Sequence, residues 1–340
     1  MALYPGQSKI NPDEGGITTV ALALRRGIYR RYVQQSLILL LLLFLTFCAW
    51  VWYGSQQFLF PVAEGVTKNL AVCTEEAADA WGKHCGNLRV THEFQFEEIK
   101  VPSINGYELP GWLITTHKNG RGEARAAIML IHGGGADRRE ETQFIGFFLN
   151  RHLDVLTIDL GCHGEAPCPV SGLTYGERES RDVLSVYLFL STRFDKVYAM
   201  GTSVGAASIL ISLPAMPKIA AVIAENPMVD FPRFTADTIK SRSLPGWFVP
   251  PLIWLTMTRG QFDGMLSPKN SLCLVTTTPI FFVHSKSDMV ISYRRTEDLA
   301  DSYKGPKAVW FPQIGDHASI WETNHDEYEK RLSSFLDTAR

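Results

Sequence analysis

Charge of either sign is scarce and balanced in this 340-residue sequence. Its 33 lysines and arginines stand against 35 aspartates and glutamates, a formal net charge of −2. Beyond one short arginine cluster near the N-terminus there is no basic stripe and no acidic tail, which excludes the electrostatic footprint of a nucleic-acid binder. The sequence has no phosphate-binding G-x-x-x-x-G-K-[ST], no G-x-G-x-x-G and no H-E-x-x-H. The marks of nucleotide, dinucleotide and zinc-protease sites are therefore missing. Cysteine is sparse, at six residues with no C-x-x-C pair, so no metal is expected. No N-x-[ST] sequon occurs, and a single leucine run is the one low-complexity tract. No cofactor is expected.

That leucine run is the first positive signal. Ser36 to Tyr53 carries no charge, and with Val33 before it and Gly54-Ser55 after it the stretch reaches the roughly 20 residues that a bilayer core needs. Trp50, Trp52 and Tyr53 cluster at one end, as interfacial aromatics do. Arg25, Arg26, Arg30 and Arg31 precede it, whereas the segment after it is poor in lysine and arginine. The positive-inside rule predicts a cytoplasmic N-terminus and a domain across the membrane. A cleaved signal peptide is the alternative, disfavoured because no clear A-x-A-like site follows the apolar run, and a buried core helix would show a polar face, which this stretch lacks. The predicted organisation is a cytoplasmic tail over 1–35, a transmembrane helix over 36–55, a linker or small subdomain over 56–90 and a catalytic domain over 91–340. Residues 1 to about 24 are expected to be unstructured, with Pro5, Gly6, Pro12, Gly15 and Gly16 as breakers.

Cys73 and Cys85 flank a short polar segment, and Cys162 and Cys168 flank a compact loop. In an oxidising compartment both pairs suit short disulfides. Cys48 lies inside the apolar span, and Cys273 is left over, expected as a buried thiol.

From about residue 92 strands and helices alternate. His92–Val101 and Tyr107–Thr116 read as a hairpin around Asn105-Gly106. Ala127–His132, Asp154–Leu160, Val197–Thr202 and Ala220–Glu225 read as strands, and Gln143–Asn150 and Glu177–Leu190 as helices. Such alternation predicts a mostly parallel sheet with helices on both faces. Between Pro227 and about Thr278 the pattern breaks into an excursion containing Pro245-Gly246-Trp247-Phe248-Val249-Pro250-Pro251.

The chemistry is concentrated at the strand ends. Gly201-Thr202-Ser203-Val204-Gly205 is a G-x-S-x-G placed between a strand and a helix, the setting of a nucleophile elbow. Ala127–His132 runs into Gly133-Gly134-Gly135. Pro279-Ile280-Phe281-Phe282-Val283 leads to Asp288, and Ile314-Gly315-Asp316-His317 precedes a C-terminal helix. The order Ser203, Asp288, His317 and the turn Asp159-Leu160-Gly161-Cys162-His163-Gly164 complete the set. With these motifs, residues from about 90 to 340 resemble an α/β hydrolase. The likeness is greatest to membrane-anchored α/β-hydrolase-domain proteins related to serine aminopeptidases and monoacylglycerol lipases.

That resemblance implies an α/β-hydrolase fold with a cap insertion at about 228–278. It implies Ser203 as nucleophile, His317 as base and Asp288 as the acid that orients the imidazole. The oxyanion hole would be the Val204 N–H with that of Gly134 or Gly135. His132, His163 and His284 are the rival histidines, the first two fitting loop-structural roles. Glu225 and Asp230 are the rival acids, and Asp316 fits an exposed or capping position. The expected function is a membrane-anchored serine hydrolase of the esterase, lipase or thioesterase type, cleaving a carboxylic ester or thioester of a small-molecule or lipid acyl substrate. A serine peptidase, with Glu225 or Asp230 holding an amine, and a non-catalytic membrane scaffold are the alternatives.

Overall fold

The computed structural model describes residues 14–62, 69–116, 126–170 and 172–339. The chain divides into two compact units, Met1–Tyr53 and Gly54–Arg340.

A helix begins in the first unit at Glu14 and ends at Leu59. The expectation of an unstructured stretch to about residue 24 is thus corrected from Glu14 onward; Pro5, Gly6 and Pro12 lie outside the described residues. Gly15 and Gly16 each cost about 1 kcal/mol relative to alanine, but a long helix downstream propagates cooperatively through them. Arg25–Leu59 is long and apolar enough to cross a membrane, with a mean hydropathy of 2.3 over its apolar 18-residue window. Leu39 to Leu43 are each more than half exposed, an apolar surface that suits lipid better than water.

The second unit is built on one eight-stranded sheet. Its strands are β1 (Glu97–Pro102), β2 (Glu108–Ile114), β3 (Ala126–Ile131), β4 (Leu153–Ile158), β5 (Lys196–Thr202), β6 (Ile219–Glu225), β7 (Ile280–Val283) and β8 (Lys307–Trp310). They lie in the order β1-β2-β4-β3-β5-β6-β7-β8. The β1–β2 and β2–β4 pairs are antiparallel and the others parallel.

Strand periodicity divides the core in two. In β3, Ala127, Met129 and Ile131 face one apolar layer while Ile128 and Leu130 face the other, because successive side chains point to opposite faces. The first layer is closed by the helices Glu177–Ser191 and Val204–Ser212, through Val183, Val186, Ile209 and Leu210. The second is closed by Phe144, Phe148 and the C-terminal helix His325–Thr338, through Tyr328, Leu332 and Phe335. Strands buried on both faces read as near-continuous apolar runs, which is why β3 and β5 are legible in the sequence.

The excursion between β6 and β7 holds the helices Phe231–Ser241, Val249–Gly260 and Pro268–Leu272. The stretch 56–90, expected as a linker, belongs to the second unit. Leu59, Leu70 and Leu88 are buried, the Asn87 amide donates to the Leu70 carbonyl (2.6 Å) and Arg139 donates to the carbonyls of Leu70 and Val72. Its polar composition hid a few apolar anchors. Cys73 is bonded to Cys85 and Cys162 to Cys168. Cys273, expected to be buried, is exposed; it caps the C-terminus of the short helix Pro268–Leu272, whose inward positions are Ser271 and Leu272.

Candidate active site

In an open parallel sheet, ligands bind beyond the carboxyl ends of the strands where the order reverses. Here β3 lies between β4 and β5, so the connections after β3 and β5 diverge around one crevice. The sequence-predicted site residues follow the ends of β3, β5, β7 and β8.

Ser203 joins β5 to the helix Val204–Ser212 with φ 55° and ψ −114°. A positive φ is uncommon for a residue with a Cβ and persists only where the surroundings over-determine it. The surroundings do so. The Ser203 N–H donates to the Glu225 carbonyl (2.9 Å), and the Ser203 carbonyl accepts from the N–H groups of Met228 (3.2 Å) and Ala207 (3.0 Å). The two flanking glycines are required by crowding. A Cβ on Gly205 would lie 2.2 Å from the Ile131 carbonyl oxygen and 2.5 Å from that of His132, and one on Gly201 would lie 2.8 Å from the Gly205 backbone. Those neighbours are main chain and cannot rotate away. Gly205→Ala is therefore expected to destabilise the domain by about 3 kcal/mol, read as a lower midpoint of urea unfolding.

Asp288 and His317 meet. The His317 Nδ1–H donates to Asp288 Oδ2 at 2.6 Å, which leaves Nε2 as the unprotonated nitrogen of the neutral ring. Asp288 Oδ1 accepts from the N–H groups of Val290 (2.7 Å) and Ile291 (3.0 Å). His284, a rival base in the sequence, is fully buried behind this carboxylate. Its Nε2 lies 3.0 Å from Asp288 Oδ2 and 2.9 Å from the Ile291 carbonyl, and its Nδ1 lies 2.6 Å from Thr296 Oγ1. Two acceptors at Nε2 assign the proton there, so His284 acts as a donor that orients Asp288.

The end of β6 ties serine and histidine together. Glu225 receives the Ser203 N–H. Asn226, the next residue, donates from Nδ2 to the His317 carbonyl (2.5 Å) and accepts the Ser285 N–H at Oδ1 (3.3 Å). Among the described residues no hydrogen bond joins the Ser203 hydroxyl to His317; such contacts are commonly long in a free enzyme and tighten with substrate.

The electrostatics suit a base. Burial by itself raises the Asp288 carboxyl, but hydrogen bonds from His284 and His317 outweigh it and hold the group well below the usual carboxylate range. Burial depresses His317, yet its hydrogen bond to Asp288, followed by the charges of Asp288, Glu140 and Glu225, lifts it above the ordinary 6.5. A base must be neutral to accept a proton, so the raised value moves activity to higher pH. The ascending limb of kcat/KM is expected to have its midpoint above pH 6.5, and Glu225→Gln, which removes one of those charges, should move that limb to lower pH.

Two buried carboxylates beside the site were not assigned these positions by the sequence. Glu140 Oε2 accepts the Gly133 N–H at 2.6 Å and so braces the glycine loop; burial raises its carboxyl, against that hydrogen bond. Glu225 Oε2 accepts from the Tyr328 hydroxyl at 2.5 Å, and burial pushes it up to about 7. No sequence signal marks Glu140 or Tyr328, because each meets its partner only across the fold. Asp230, the other rival acid, caps the helix Phe231–Ser241 by accepting the Arg233 N–H (2.9 Å). Asp316 is exposed.

The glycine loop comes close to the elbow. A Cβ on Gly133 would lie 3.4 Å from Ser203 Cβ, and one on Gly134 would lie 3.1 Å from Val204 Cγ2 and 3.0 Å from Leu173 Cδ2. Gly135 has φ +85°. Val204 opens its helix, so its N–H has no intrahelical acceptor. His132 and His163 are loop residues with rings 5.0 Å apart. His132 Nε2 accepts the Leu160 N–H (3.0 Å), and its Nδ1 lies 2.7 Å from the Gly133 carbonyl. Among the described residues no group of three histidine, cysteine or acidic side chains is arranged to hold a metal ion.

No protein-family model matches the chain. The uncharacterized protein YqkD of Bacillus subtilis is 26% identical over 245 residues, 70% of this chain and 78% of its own length. The uncharacterized protein YfhR of Escherichia coli K12 is 23% identical over 248 residues, 72% of this chain and 81% of its own length. Among solved structures, the esterase Pf2001 of Pyrococcus furiosus superposes with a TM-score of 0.58 at 17% identity, covering 82% of this chain and 98% of that one. The α/β hydrolase GrgF of a Penicillium species gives 0.57 at 14% identity, covering 72% and 99%. Est1E of Butyrivibrio proteoclasticus with ferulic acid bound gives 0.51 at 15% identity, covering 70% and 99%. By its sheet order, its strand-to-helix elbow and these superpositions, the chain has the α/β-hydrolase fold.

Proposed function

We propose that the protein is a membrane-anchored serine hydrolase that cleaves carboxylic esters or thioesters of apolar acyl groups. One observation carries this reading. Ser203 stands on a strained elbow at a helix N-terminus, and the imidazole presented at the same end of the sheet is already hydrogen-bonded to a carboxylate. Ser203 Oγ attacks the acyl carbon as His317 Nε2 takes its proton. Asp288 holds the tautomer and stabilises the imidazolium. The Val204 N–H and that of Gly134 or Gly135 receive the oxyanion. Collapse expels the alcohol or thiol with the proton from His317, and water then repeats the sequence on the acyl-serine.

The esterase and hydrolase structures among the neighbours support hydrolysis. Esters are favoured over peptides because Glu225 and Asp230, the carboxylates named to hold an amine, are engaged by Tyr328 and by a helix N-terminus. A scaffold has no need of an oriented histidine–carboxylate pair. Trp247, Trp254 and Met265, each more than 60% exposed in the excursion after β6, support an apolar substrate or a lipid surface. The arginines before the apolar helix support a cytoplasmic N-terminus, and the two disulfides support a domain in an oxidising compartment.

The test is fluorophosphonate labelling of the detergent-solubilised full chain, with the modified residue located by peptide mass. Label on Ser203 is expected. A folded protein that takes no label, or takes it on another serine, would sink the reading.

A further inference from the structure

The helix Val249–Gly260, in the excursion after β6, is pinned where the apolar span ends. Gly54 is the first residue of the second unit, and with Ser55 it closes that span. Gly54 follows Tyr53 directly, so chain connectivity alone keeps it within about 4 Å of the interfacial aromatics. A Cβ on Gly54 would lie 3.0 Å from Leu252 Cδ1. Arg259 donates to Ser55 Oγ (2.9 Å) and Gln56 Oε1 (2.6 Å). Leu252 and Arg259 stand about two turns apart on one side of the helix, so both ends of that side are held against residues 54–56. The opposite side is open. Pro250, Trp254 and Thr258, spaced one turn apart, are exposed. Trp247, just before the helix, is exposed too and stacks on Phe248 with ring centroids 4.0 Å apart.

The composition of the segment matches that exposure. Leu244 to Thr258 carries no charge, and Thr238 to Phe262 has no acidic residue while Lys240, Arg242 and Arg259 flank the uncharged run. A helix at a water-facing surface carries polar and charged residues outward. A helix lying in a membrane interface instead presents tryptophan and leucine to the acyl boundary, with cations toward the headgroups. We propose that the helix Val249–Gly260 and Trp247 form a second membrane contact, the outer face around Trp254 lying in the headgroup layer of the bilayer that holds the span. That layer is about 5–7 Å deep on each side of the hydrocarbon core, and the helix is pinned at its level. Lys240 and Arg242 favour anionic lipid there. The partner is lipid rather than a second copy of this chain because the open face belongs to the element held at the exit of the span. This rests on the membrane-anchored part of the reading above and not on the hydrolytic chemistry.

The experiment uses the full chain reconstituted in vesicles of phosphatidylcholine and phosphatidylglycerol. An environment-sensitive fluorophore is attached at Thr258→Cys, with the free cysteines removed as Cys48→Ala and Cys273→Ser. In a second sample it is attached to the native Cys48, inside the span, with Cys273→Ser alone. A lipid carrying a nitroxide near the top of its acyl chain is expected to lower the emission at position 258 about two-fold or more, as it does at Cys48. No quenching at 258 overturns the inference, and iodide in the buffer then gives the reason: a label that iodide quenches lies in water, and one that it does not reach is covered by protein, as in a dimer through this face. Should Thr258→Cys fail to fold, Pro250→Cys places the label two turns earlier on the same face and decides in the same way. A label at Cys48 that nitroxide lipid leaves unquenched removes the membrane anchor and this inference with it; quenching at Cys48 without quenching at 258 removes the inference alone.

Discussion

Ser203→Ala is expected to lower kcat by about a million-fold, the loss seen when a triad nucleophile is removed from a serine hydrolase. The size follows from the route. Without Oγ there is no acyl-enzyme, and His317 and Asp288 have nothing to activate. What persists over the uncatalysed rate comes from the oxyanion donors and from binding. The variant should fold as the wild type does. The backbone hydrogen bonds of Ser203 to Glu225, Met228 and Ala207 do not involve its side chain, and alanine carries the same Cβ into the φ 55° conformation. The measurement is single-turnover and steady-state hydrolysis of a p-nitrophenyl ester, with circular dichroism as the control. Residual activity above a few percent would move the nucleophile elsewhere.

Asp288→Asn is expected to cost about 10⁴-fold in kcat. The geometry gives the reason. Asp288 Oδ2 accepts the Nδ1–H of His317, and Oδ1 accepts the N–H groups of Val290 and Ile291. An asparagine can keep its oxygen on the two backbone donors and so preserve the loop. Its NH₂ then faces His317 Nδ1 and demands an acceptor there, which shifts the proton to Nε2 and removes the base. Glu225→Gln changes only a charge near the ring; it moves the ascending limb to lower pH and should leave kcat at the pH optimum within about ten-fold of the wild type. The two variants compared at the pH optimum decide which carboxylate is the acid, and a reversal of their order would assign the role to Glu225.

Much of this site was legible without coordinates because its parts are local. An elbow needs glycine on both sides of the serine, and Gly201 and Gly205 are crowded by main chain in the way that requirement implies. Strands buried on both faces announce themselves as apolar runs, and β3 and β5 do so. The excursion after β6 was visible as a break in the alternation. The packing of the stretch 56–90 is not legible in sequence because a few buried leucines and a disulfide, spaced without periodicity, give no pattern. The extent of the N-terminal helix was misread because glycine was weighted as a breaker where a long helix could run through it.

The sequence alone determined the class of the domain, the elbow, the order of serine, acid and histidine, and the presence of an apolar span, since each depends on neighbours along the chain. Only the tertiary structure decided which histidine faces Asp288 from which side, that Glu225 is engaged by Tyr328, that Glu140 braces the glycine loop, and that Leu59 is buried in one cluster with Leu173 and Val204. Those contacts join residues far apart in sequence through the order of strands in the sheet, and a buried polar or apolar side chain has its partner chosen by that order rather than by its neighbours.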